Sequence, residues 1–171
     1  MVFRTANTLN VTLAAGNQGY YGSFYSSQDQ SGGVNTPTLM YAENTAGADG
    51  ITMELGTSNK KSRMTFAHTG IYNIQFSAQL HNLGGGGSGN SFNIWFRLDG
   101  VNIANSDTKM TVPSNSPYAV AAWNFIVSVT AGQYVEMVFA SDNANIIIEH
   151  EPATEIAPAI PSFILTAVQV R

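Results

Sequence analysis

Cysteine is absent from the 171-residue chain, which excludes disulfide scaffolds, thiolate zinc sites, iron–sulfur clusters and cysteine nucleophiles. Charge is scarce as well. Asp, Glu, Lys and Arg together make up 11% of the residues, less than half the usual share of about 25%. Seven basic against eleven acidic side chains leave a net charge of −4, so the chain has no electrostatic footprint for coating nucleic acid. No run approaches the roughly 18 consecutive apolar residues of a membrane helix. The opening stretch also lacks the apolar core of a secretion signal, because Arg4, Thr5, Asn7, Thr8, Asn10 and Thr12 interrupt it, and it is read as uncleaved. Neither a nucleic-acid nor a membrane partner is expected.

What the chain does contain is 44% hydrophobic residues and 16 glycines, with Asn, Ser and Thr supplying the polarity that charge does not. That mix favours strands and turns. A chain of this length buries roughly 70% of its unfolded surface, enough for one core. Residues 1–19 are polar and irregular up to Gly16-Asn17-Gln18-Gly19. They read as an N-terminal arm, and residues 20–171 as the domain.

Period-two alternation dominates the domain. Met64 and Phe66 share one face, and after His68-Thr69-Gly70 the side chains of Tyr72, Ile74, Phe76, Ala78 and Leu80 share another, with Asn73, Gln75, Ser77 and Gln79 opposite. A helix does not produce this over ten residues. Phe92, Ile94, Phe96 and Leu98 continue the pattern up to Asp99-Gly100, a hairpin signal. Further strands are expected at Tyr20–Ser27, Thr38–Ala42, Ile51–Leu55, Lys109–Val112, Tyr118–Val129, Gln133–Ser141, Ala144–His150 and Ser162–Arg171, and Asn44–Gly50 is expected as a turn. About ten short strands without a helix predict a β-sandwich or barrel.

Three segments are apolar on both faces: Ala119–Val127, Phe163–Val168 and Ile146-Ile147-Ile148. One face can fill a sandwich core, and covering the other calls for neighbouring subunits. Candidate chemistry is thin. Glu149-His150-Glu151 is the most site-like triplet, but along a strand its carboxylates point away from its imidazole. Asp29 and Asp142-Asn143 sit in loops without a calcium-loop pattern. Gly84–Gly89 lacks the lysine and helix of a phosphate loop, and no nucleophile motif is present. No catalytic residue, metal or cofactor is expected. Lys60, Lys61 and Arg63 form the only basic cluster, a solvated loop end or a docking patch for an acidic surface. Trp95 lies on the polar side of its strand, as a subunit contact or as a platform for sugar.

Gly70-Ile71-Tyr72-Asn73-Ile74-Gln75-Phe76, the aromatic strand Phe92–Leu98 closing on Asp99-Gly100, Ala131-Gly132-Gln133-Tyr134-Val135-Glu136 and the apolar strand Ser162–Val170 resemble the globular heads of the complement and tumour-necrosis-factor superfamily. That resemblance covers roughly residues 60–171. It implies an all-β, tumour-necrosis-factor-like jelly-roll β-sandwich of about ten strands, homotrimeric, with aromatics meeting near the threefold axis. Ser62–Phe66, Tyr72–Gln79, Ala121–Phe125 and Pro158–Thr166 are similar to a variant found in virion proteins of tailed phages, especially those of marine bacteria and cyanobacteria. The resemblance implies a capsid decoration (cement) protein at the capsid surface. The fibre-tip alternative is a module reading host glycans through His81–Asn90 and Pro113–Pro117.

A chain of this size opening at Met1 with only a short arm favours decoration, because a fibre tip needs an anchor. The expected trimer interface comprises Trp123, Phe125, Val127, Phe163, Leu165, Ala167 and Trp95. The expected contacts to the major capsid protein are Val2, Phe3, Leu9, Val11 and Leu13 of the arm, together with Lys60, Lys61 and Arg63.

Overall fold

The alternating residues Tyr72, Ile74, Phe76, Ala78 and Leu80 are all buried on one side of a single long strand. In the computed structural model, which describes residues 19–84, 90–114 and 118–171, this strand is β6 (Gly70–Asn82). The others are β1 (Tyr21–Ser26), β2 (Thr38–Leu39), β3 (Asn44–Asp49), β4 (Ile51–Leu55), β5 (Lys61–Phe66), β7 (Ser91–Leu98), β8 (Val101–Asn102), β9 (Thr108–Thr111), β10 (Tyr118–Val129), β11 (Tyr134–Ser141), β12 (Ile146–Ile148) and β13 (Phe163–Gln169). The expected arm anchors Val2, Phe3, Leu9, Val11 and Leu13 lie outside the described residues.

Two antiparallel sheets stack as a jelly-roll sandwich. The first runs β10-β6-β13-β1-β3, with β12 also on β6. The second runs β4-β5-β11-β7-β8, with β2 on β11 and β9 on β7. Aromatic rings join and line the layers: Phe76 of the first sheet lies 6.0 Å from Phe96 of the second, while within the sheets Phe76 lies 6.4 Å from Phe163 and Phe92 stacks on Phe139 at 5.2 Å. Such contacts stabilise by about 0.5–1.5 kcal/mol each beyond area burial. Tyr72 is buried with its hydroxyl donating to the His68 carbonyl at 2.9 Å. Burial pushes its pKa up, and neighbouring Tyr20 adds to the shift.

Asn44–Asp49, expected as a turn, is strand β3, paired with β1 through a register shift at Ser23/Phe24. Asn, Gly and Asp are poor strand formers, but here the backbone groups of β1 supply the ladder, so tertiary pairing overrides propensity. Ile146-Ile147-Ile148 needs no neighbouring subunit. All three residues are buried within the chain, and Gln30 bonds in both directions to the backbone of Ile148.

The chain crosses from the first sheet to the second between β3 and β4, at Gly50. Its φ is +70°, and a Cβ there would lie 2.5 Å from the Tyr20 ring, which is stacked on His68 at 3.6 Å. Both the left-handed backbone and the ring require glycine. Gly50→Ala is expected to cost about 1–3 kcal/mol, read as a lowered midpoint in urea with an unchanged slope.

Candidate functional site

Alternation in β10 and β13 decides which side chains a second molecule can reach. Phe163, Leu165, Ala167 and Val127 point between the sheets and are buried. This corrects the expectation that they meet neighbouring subunits: they fill this chain's own core. Trp123 and Phe125 also point inward, but β10 is an edge strand, so both stay half-buried at the open side of the sandwich. There Trp123 packs edge-on against Phe76 at 4.4 Å, and Phe125 stacks on Phe96 at 5.0 Å.

The apolar residues that do face outward are the alternates. Val120 and Ile126 on β10 are 56% and 60% exposed, and Val168 on β13 is 50% exposed, with Ile164 beside it on the same face. Cross-strand register places them in rows over β6. Ile126 and Val168 flank Asn73 in one row. Ala122 and Ile164 flank Ser77 in another, and the polar row Asn124, Gln75 and Thr166 runs between the two. No Asp, Glu, Lys or Arg occurs anywhere in β1, β6, β10 or β13. At about 4.8 Å between strands and 3.3 Å per residue, this face spans roughly 600 Å² in plan, near the scale of one partner's share of a stable interface.

The second sheet differs in kind. Glu54, Lys61, Arg63, Arg97, Lys109 and Glu136 all belong to its strands. Arg63 does not serve as a free docking cation: its Nε donates to Glu136 Oε1 at 3.1 Å, and its guanidinium lies 4.5 Å from the Tyr134 ring centroid. Lys60 sits over the Tyr41 ring at 4.3 Å, and Lys61 is exposed. Because the Glu136 side chain is only 4% exposed, Arg63→Met strands a buried carboxylate. The expected loss is about 2–4 kcal/mol at neutral pH, partly recovered in Arg63→Met/Glu136→Gln, as thermal unfolding of the two variants will show.

On this sheet's outer face Trp95 borders an open cavity of about 310 Å³, lined also by Asn93, Asn102, Ile103, Asn105, Asp107 and Ala140. Trp95 is therefore on the sheet opposite the uncharged face, apart from Trp123 and Phe125. Its Nε1 donates to Asn102 Oδ1 at 2.9 Å, an oxygen that also accepts from Arg97 Nε at 2.9 Å.

The Glu149-His150-Glu151 triplet disperses. Glu149 pairs with His81 at 2.8 Å, His150 turns its Nδ1 to the Ile160 carbonyl at 2.8 Å, and Glu151 exchanges backbone bonds with Ile160. Asp29 accepts the His150 N–H, and Asp142 accepts from the Ser91 N–H and hydroxyl. Among the described residues no group of three His, Asp or Glu side chains is placed to hold a metal, and no helix is long and apolar enough to cross a membrane. Most of Gly84–Gly89 and of Pro113–Pro117 lies outside the described residues.

No protein-family model matches the chain, and no curated protein is significantly similar to it. Among solved structures it is similar to murine APRIL, crystallised at pH 5.0, with a TM-score of 0.57 and 10% identity over 89% of this chain and 99% of that one. It is also similar to Eiger TNF from S. frugiperda, with a TM-score of 0.58 and 8% identity over 90% of this chain and 94% of the other. At such identities the likeness establishes a tumour-necrosis-factor-like jelly roll.

Proposed function

We propose that the protein is a non-enzymatic structural module that closes into a homotrimer through the uncharged face of β10-β6-β13-β1 and the open edge beside it. We further propose that the trimer is a capsid decoration protein on the head shell of a tailed phage, with the major capsid protein as its partner. The observation that carries self-association is β10 itself: twelve residues without charge or proline, paired among the described strands only with β6, and apolar on both sides. Unprotected edges of that kind are self-association sites, and depletion of charge marks the core of an interface. The face and the edge are different surfaces that meet at β10. A contact of one copy's edge with the next copy's face is heterologous, and a closed ring is its soluble outcome.

The virion reading is supported by the resemblance carried on Ser62–Phe66, Tyr72–Gln79, Ala121–Phe125 and Pro158–Thr166. Its mechanism is mass action, since a protein that binds only assembled shells lowers their free energy. Light scattering should report three times the 18.3 kDa chain mass. The purified trimer added to undecorated shells should bind at many copies per particle and raise their melting temperature. A monomer at micromolar concentration overturns the trimer. A trimer that ignores shells but competes with phage for host cells replaces decoration with the fibre-tip role.

A further inference from the structure

We propose that the Trp95 cavity is a binding site for a neutral pyranose unit of a glycan. It lies on the sheet turned away from the self-association face, so the inference stands independently of the trimer. Three features carry it. The first is the lining chemistry: one indole, the amides of Asn93, Asn102 and Asn105, and the Asp107 carboxylate around about 310 Å³. Sugar hydroxyls are each donor and acceptor, and amides beside a carboxylate answer both roles, while an aromatic face accommodates the apolar C–H face of the ring.

The second is that these groups are already oriented. Asn93 Nδ2 donates to Asp107 Oδ2 at 2.8 Å, and Asn102 Oδ1 receives both the Trp95 indole and Arg97. Asn102 is left with its amide NH₂ to donate, and Asp107 with its second oxygen to accept. The connection from β8 to β9 that brings Asn105 and Asp107 to the cavity is pinned from beneath by buried Ser106. Its hydroxyl accepts from the Phe96 N–H at 3.1 Å and donates to the Ile103 carbonyl at 2.8 Å. Little ordering remains to be done when a ligand enters, which is the condition for useful affinity in a small open site.

The third is charge. The only ionised group lining the cavity is Asp107. Arg97, which donates its Nε–H to Asn102, and Lys109, opposite Asn93 in the β7–β9 register, flank the cavity without lining it. A phosphate, sulfate or carboxylate on the ligand would meet a carboxylate, so the class is neutral sugar.

The test is titration of the full-length protein with neutral oligosaccharides of glucose, N-acetylglucosamine, galactose and mannose, and in parallel with sialylated and phosphorylated glycans, following the two indole N–H signals by NMR. Trp123, on the other sheet, is the internal control. The expected result is a saturable shift at Trp95 but not at Trp123 with at least one of these sugars. The dissociation constant should be of the order of millimolar, weakened at least tenfold in Trp95→Ala. Asp107→Ala, at an exposed position, should weaken binding tenfold while leaving the melting temperature in place, which guards against a Trp95 variant that simply misfolds. No shift at Trp95 with any of the four series overturns the proposal. So does a response confined to sialylated or phosphorylated glycans, or binding that survives both substitutions.

Discussion

Ile126→Asp combined with Val168→Asp is expected to yield a folded monomer of 18.3 kDa where the unaltered chain runs at three times that mass. The two positions are 60% and 50% exposed and flank Asn73 from the strands on either side of β6, so the isolated chain tolerates carboxylates at both. In the assembly the same carboxylates are taken out of water with no cation in β1, β6, β10 or β13 to pair with. Burying such a group unpaired costs several kcal/mol, and about 4 kcal/mol already weakens association roughly a thousandfold. Sedimentation or light scattering at micromolar concentration reads the outcome, with circular dichroism showing that the fold persists. A doubly substituted chain that remains a trimer would falsify the assignment of this face.

Leu165→Asp, three residues earlier on the strand that carries Val168, is expected to abolish folding altogether. Leu165 is 3% exposed and lies in register with Phe76, at the centre of the aromatic cluster that joins the sheets. The substitution removes the packing of a leucine, at about 2–5 kcal/mol, and buries a carboxylate as well. Together these match the whole stability of a typical domain, about 5–15 kcal/mol. The expected readout is insoluble protein, or a soluble fraction without a cooperative thermal transition. Val168→Asp alone should melt within a few degrees of the unaltered chain once both are compared as monomers.

That contrast also marks how far the sequence was legible. Alternation in Tyr72–Leu80 and Phe92–Leu98, with turns at Asp99-Gly100 and Ala131-Gly132, was enough for a jelly-roll sandwich, because one polar and one apolar face leave no choice of side. In Tyr118–Val129 and Phe163–Val168 both faces are apolar, so alternation does not say which side turns inward, and the resemblance implies aromatics such as Trp123, Phe125 and Phe163 near a threefold axis. Register with β6 decides it: the large side chains lie beside Ile74, Phe76 and Ala78 on the core face of the same sheet, and the alternates Val120, Ile126, Ile164 and Val168 face outward. The cavity beside Trp95 is less legible still. Its polar lining comes from one strand, the short hairpin strand β8 and the connection to β9, and no spacing rule links Asn93, Asn102, Asn105 and Asp107. Only the indole on the polar side of its strand gave a signal.

The place of β13 in the first sheet has a consequence for the order of events in folding. This strand, the last in chain order among those described, is not at an edge: it runs between β6 and β1, with Ser26 and Ala78 both registered on Phe163. Until residues 163–169 are available, β1 and β3 have no ladder to β6, and the buried faces of Phe24 and Phe76 have no strand between them. A growing chain therefore holds its first strands open until these residues emerge, and then closes contacts of very large sequence separation. Such closure is slow, and during it the uncharged β10 is exposed beside an unfinished sheet. The interval before β13 inserts is the stage at which the nascent chain is most open to aggregation.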